Sequence, residues 1–226
     1  MKEKYLSLAI IVLALVIGMG LIGSGTSNID LPIAAKSTDV ELAIPWHDMG
    51  AQLAEHGVID EAKFRSLYPN RQDAVDLVFD SNADKPLIIN QSNADIMLNA
   101  LWAFGLANKN PILEEGPMMD PRYGGADRFA STGGWTLGRE GAMSYYSQFS
   151  LVVLTDNQQG LVERVSKNVY RPCCSNSTYF PDCNHGMAML GLLEILAADG
   201  AGEDALYEAA TRINEFWFGK VVGGSC

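Results

Sequence analysis

The side chains able to do chemistry concentrate in one stretch, Arg171 to Met189, which holds three of the four cysteines, one of the three histidines and two of the nine methionines. Its pattern is C-C-x8-C-x-H-x-M-x-M, with Cys173 and Cys174 adjacent and Cys183, His185, Met187 and Met189 following. Thiolate, imidazole and thioether are soft or borderline donors that select copper, zinc or iron–sulfur centres, so a metal site is the first chemistry on offer. Copper suits the Cys/His/Met mixture, and zinc suits three cysteines and one histidine without methionine. The spacing is not the C-x2-C knuckle of common zinc sites, and the C-x-x-C-H motif of haem attachment is absent.

The same residues support two other chemistries. A disulfide from Cys173 or Cys174 to Cys183 would pin the loop and leave its neighbour free to pair with Cys226. Alternatively, Cys183 could attack a Cys173–Cys174 disulfide with His185 as base, the start of thiol–disulfide exchange. No C-x-x-C and no thioredoxin-like strand–helix–strand pattern accompanies that reading.

Geometry limits which donors can converge. On one helix, Cys183 and His185 would stand roughly 200° apart and could not share an ion. They meet only if Cys183 lies at or before the N-cap of a helix that carries His185. His185 and Met189 are then an i, i+4 pair on one face. The expected ligands are Cys173, Cys174, Cys183 and His185, with Met187 or Met189 as softer additions. A helix N-terminus also favours thiolate at Cys183, an effect that the charge of Asp182 opposes.

The rest of the chain must hold this loop in place. At 226 residues, with 48% hydrophobic and 19% charged residues, it has material for one main core. A net charge of −11 argues against nucleic acid and anionic membrane surfaces as partners, because both need a basic face. No phosphate loop, G-x-S-x-G or H-E-x-x-H motif occurs, and no glycosidase-type pair of acids stands out. Asn176-Ser-Thr178 is formally a glycosylation sequon.

Residues 1–28 read as a signal-anchor or signal peptide. Lys2 and Lys4 precede an apolar run from Leu6 to Gly23, and Ser24-Gly-Thr-Ser-Asn28 follows. Eighteen residues at ~1.5 Å each span roughly 27 Å, close to a bilayer core of ~30 Å, which favours an anchor through residues 6–23 over a cleaved signal. Either way the basic start stays inside and the domain is extracytoplasmic, secreted if the segment is cleaved. Removing Lys2, Glu3 and Lys4 from 16 basic and 27 acidic residues leaves 14 and 26, a net charge near −12. Residues 29–45 read as an extended tether.

Residues 46–226 read as one mostly α domain, all-α or with minor β. The expected elements are a helical hairpin over 46–68, with Gly57 at the turn and Asp60 as a cap, and an ambiguous segment over 72–80. A short apolar run, Leu87 to Ile89, precedes a capping box at Ser92–Asp95 that opens a buried helix to Leu106. Residues 112–136 read as loop, with Met118 and Met119 in it, and 140–154 read as helix. A second capping box, Thr155–Gln158, opens a helix to about Tyr170. After the Cys-rich loop at 171–187, Asp182 or Asn184 caps a buried helix to Ala198, and Glu203–Phe218 closes the domain. His47 and His56, nine positions apart, fall on opposite faces of any continuous helix and do not make a site alone. The sequence thus predicts a membrane-anchored, metal-binding protein with a carrier or electron-transfer role, and names no protein partner. A structural or interaction domain with a disulfide-pinned loop is the alternative, and a thiol–disulfide oxidoreductase the second alternative.

Overall fold

Residues 41–81 and 85–219 are described by a computed structural model. Strand β1 (Leu42–Ile44) pairs antiparallel with β2 (Leu87–Ile89), Leu42 opposite Ile89 and Ile44 opposite Leu87. Ile44 and Ile89 are wholly buried, so this short ribbon joins the core. The last part of the expected tether is therefore a strand of the domain, and residues 29–40 lie outside the described residues.

Between the strands run α1 (Met49–Glu55), α2 (Glu61–Ser66) and α3 (Gln72–Phe79). The first two form the expected hairpin: Gly57 turns with φ +75°, and the Asp60 carboxylate accepts from the Ala62 and Lys63 N–H groups to start α2. Residues 72–80, ambiguous by pattern, settle as helix because Val75 and Val78 fall on one buried face.

Next comes α4 (Ala94–Ala107), but without the expected capping box. Ser92 turns back to Asn90 Oδ1, Asn93 takes the N-cap position, and Asp95 pairs with Arg71 at 2.7 Å. A guanidinium held across the fold outcompetes the local cap, since charge-assisted bonds are roughly twice as strong as neutral ones. Residues 112–136, read as loop, hold all but the first residue of α5 (Pro111–Glu115), three single 3-10 turns and α6 (Ala130–Gly133). Met118 is buried there and Met119 is exposed.

The helix expected over 140–154 does not form; only Ala142–Ser144 makes a 3-10 turn. Its backbone is satisfied across the fold instead. Ser147, with φ +55°, donates from its N–H to Leu106 O, Phe149 N–H donates to Ala107 O, and Lys109 N–H donates to Phe149 O. These bonds tie the segment to the end of α4 in an extended form, which suits its β-branched, apolar second half.

Three longer helices complete the domain: α7 (Asp156–Asn168), α8 (Asn184–Ala198) and α9 (Glu203–Phe218). The Thr155–Gln158 capping box that opens α7 forms in both directions, although the helix stops two residues short of Tyr170. Eleven of the 15 residues of α8 and 11 of the 14 of α4 are buried, as central helices require. These two helices pack on each other more extensively than any other pair, and α6, α7 and α9 also pack on α8. All four tryptophans place their indole N–H on a backbone carbonyl: Trp46 on Val78, Trp102 on Ser131, Trp135 on Val58 and Trp217 on Ala94.

The α4–α8 approach is possible because glycines face each other. A Cβ on Gly105 would lie 2.2 Å from Met187 O, and one on Gly191 would lie 2.8 Å from Leu101 O. Gly105→Ala is expected to destabilise the fold by about 2 kcal/mol, because backbone overpacking outweighs the ~1 kcal/mol gained in helix propensity. A lower urea midpoint at unchanged slope checks this; a raised midpoint refutes it.

Candidate metal centre

The loop that carries the cysteines hangs between α7 and α8. Tyr170 and Ser177 form an antiparallel bridge, and Arg171 N–H donates to Asn176 O, closing a small loop with Cys173 and Cys174 at its tip. Ser175 turns the chain at φ +56°. Thr178, wholly buried, donates from both N–H and hydroxyl to Val169 O, and Ser131 N–H of α6 donates to Asp182 O. The chain then reaches Cys183 in extended conformation, φ −125° and ψ 168°, as the N-cap of α8. That is the condition under which Cys183 and His185 can share an ion, and it displaces Asp182 and Asn184 from the expected capping role.

The result is a cluster. The ligand atoms of Cys173, Cys183 and His185 lie within 4.8 Å of one another, and so do those of Cys174, Asp182 and Cys183. The Cys173 and Cys174 sulfurs are 3.8 Å apart. A tetrahedral ion with metal–sulfur distances of ~2.3 Å holds two sulfurs about 3.8 Å apart, so the adjacent cysteines already sit at chelating separation. The cluster is thus a cysteine, histidine and aspartate group able to hold a metal ion. Cys173, Cys174 and Cys183 are free thiols; 3.8 Å is far beyond the ~2.05 Å of a disulfide bond. Cys226 lies outside the described residues, as does the expected membrane anchor over residues 1–28. Among the described residues no helix is long and apolar enough to cross a membrane.

Electrostatics in the cluster are uneven. His185 is held down to about 4, by burial first and then by the positive charge of Arg171, so its imidazole is neutral and a competent ligand at pH 7. Its ring packs on Phe218 at 4.5 Å and Trp217 at 5.5 Å, which fixes its plane. Cys173, although exposed on one side, is pushed up to about 12, by desolvation of its sulfur first and then by the charges of Cys183 and Cys174. A bound cation would reverse that cost, because metal binding expels the thiol proton.

Arg171 is the organiser that the sequence pattern did not reveal. Its side chain is 0% exposed, with Nη1 at 2.9 Å from Asp182 Oδ1 and 2.8 Å from Cys183 Sγ. Burial alone would lower its pKa, but the charges of Cys183 and Asp182 raise it. Gly186 leaves room for it, since a Cβ there would lie 2.3 Å from Nη1. Periodicity gives no signal for such a residue; only the burial of a charged side chain does.

The two expected methionine donors and the two remaining histidines lie elsewhere. Met187 and Met189 are wholly buried in the hydrophobic core. His56 stacks on Phe149 at 4.3 Å, and His47 lines a cavity with Trp46, Asp80 and Lys85. A second polar feature went unread in the sequence. Glu194, in the middle of α8, is wholly buried and accepts from Asn108 Nδ2 at 2.8 Å and from Asn110 Nδ2. One acid inside Leu-Gly-Leu-Leu-Glu-Ile-Leu was the signal that could have found it. Compared with family models, curated proteins and solved structures, the chain shows no match to any of them.

Proposed function

We propose that this protein binds a copper or zinc ion through Cys173, Cys174, Cys183 and His185 and acts as an exported, membrane-anchored metal carrier. One observation carries the reading: the N-cap position of Cys183 brings its sulfur within 4.8 Å of the donor atoms of Cys173 and His185. Cys173 and Cys174 are exposed, so an ion held there stays accessible to an exchanging partner, which favours carriage over a sealed structural role. The anchor and the extracytoplasmic location rest on the apolar run at residues 6–23 and its basic start.

The test is to purify the protein without reductant and count its free thiols, then to reduce it and measure metal content. One ion per chain, lost in Cys183→Ser with at least about a hundredfold drop in affinity, supports the reading, because Cys183 belongs to both donor groups. No metal, together with two fewer titratable thiols than cysteines before reduction, would sink it in favour of the disulfide-pinned loop.

A further inference from the structure

Asp182 is the only carboxylate in the two donor groups, and both of its oxygens are engaged. Oδ1 accepts from Arg171 Nη1 at 2.9 Å, and Oδ2 accepts from Asn176 Nδ2 at 2.7 Å. Arg171 in turn has every N–H placed. Nε donates to Asn176 O, Nη2 to Ser177 O and Phe180 O, and Nη1 to Asp182 and Cys183. Turning Asp182 onto an ion would strand a donor of this buried guanidinium, or of Asn176. A buried donor without an acceptor is penalised, and a charged one most of all. Coordination through Asp182 therefore competes with these bonds, whereas a Cys183 thiolate, with three lone pairs, can keep its bond from Arg171 and still bind an ion.

We infer that Arg171 and Asn176 set the ion specificity of the centre: by holding both oxygens of Asp182, they leave Cys173, Cys174, Cys183 and His185 as an all-sulfur-and-nitrogen donor set. Such a set takes copper and zinc and rejects Mg2+, Ca2+ and Mn2+, which demand oxygen ligands. The inference rests on the metal-binding reading above and adds what decides between ions. Arg171 and Asn176 touch no ion themselves; they are positioning residues that act through Asp182.

The test uses the full chain, reduced and metal-free, titrated with Co2+ as a coloured substitute for zinc, with Zn2+ by competition, and with Mn2+. Wild type is expected to show thiolate-to-cobalt charge-transfer bands and to bind no Mn2+ at concentrations that saturate it with Zn2+. Asp182→Asn is expected to keep the cobalt spectrum and a Zn2+ affinity within about threefold of wild type, where loss of a true ligand would cost far more. Because that substitution also loosens Arg171, Asn176→Ala serves as the second variant. It frees Oδ2 alone and is expected to raise Mn2+ affinity about tenfold with the cobalt bands retained. Where Asp182→Asn fails to fold by circular dichroism, Asn176→Ala decides, and unchanged Mn2+ affinity in it overturns the inference. A shifted cobalt spectrum with a tenfold loss of Zn2+ affinity in folded Asp182→Asn, or wild type binding Mn2+ as tightly as Zn2+, also overturns it while leaving the metal-binding reading intact. A wild type that binds no ion overturns both.

Discussion

Arg171→Met is expected to cost about 3–5 kcal/mol of stability, the range for breaking a buried ion pair by removing one partner. The methionine fills much of the space but offers no donor. Asp182 loses its guanidinium, and the carbonyls of Asn176, Ser177 and Phe180 lose the N–H groups that hold the loop in shape. The Asp182 side chain is 22% exposed, so water relieves part of its charge and the lower end of the range is the better expectation. The loss should be local before it is global. Amide hydrogen exchange in residues 171–183 is expected to accelerate strongly, while that of α4 accelerates only as far as the loss of overall stability requires. Equal acceleration in both regions would mean that Arg171 supports the whole core rather than the cysteine loop. Arg171→Lys should recover little, because an ammonium cannot supply five donors in a planar fork.

The second large effect concerns Glu194 and pH. Burial holds this carboxyl up to about 8, against an ordinary value of 4.5, even though the bonds from Asn108 and Asn110 act to lower it. Between those two values the folded protein keeps a proton that the unfolded chain releases. Stability is therefore fully present below about 4.5 and is lost as pH rises through 8, at up to about 1.4 kcal/mol per pH unit. His185 acts in the opposite sense over its own window. Its folded value of about 4 lies below the ordinary 6.5, so the unfolded chain gains a proton first and stability falls as pH drops through that range. The two effects partly cancel below 6.5, and the Glu194 slope is read cleanly between 6.5 and 8.

Glu194→Gln is expected to abolish that slope. The glutamine presents one NH2 where two asparagine NH2 groups need acceptors, so it gives up about one buried hydrogen bond, ~1 kcal/mol. The stability curves of the two proteins should therefore cross, wild type being the more stable at pH 5 and the variant at pH 9. Urea denaturation at pH 5, 7 and 9 checks this, with metal-free protein so that ligand protonation does not enter. Parallel curves would mean that Glu194 does not change charge over this range.

Both effects show where sequence reading ends. The helices at α1, α2, α4, α7, α8 and α9 were legible because their apolar residues recur with helical period and because local residues cap or break them. The failed helix at 140–154 and the unused capping box at Ser92–Asp95 share one cause. In each, a long-range partner, the end of α4 for one and Arg71 for the other, offered a better bond than the local pattern did.

For the centre itself, the sequence alone determined the donor types, their order along the chain and the rule that Cys183 must stand outside the helix to meet His185. Whether that rule is obeyed was decided by tertiary structure. The bond from Ser131 to Asp182, the buried fork of Arg171 and the packing of α8 on α4 together start the helix one residue after Cys183. Spacing along a chain fixes angles only within one helix. Where a loop crosses between helices, the positions of its side chains are set by buried partners distant in sequence, and those partners leave no periodic trace.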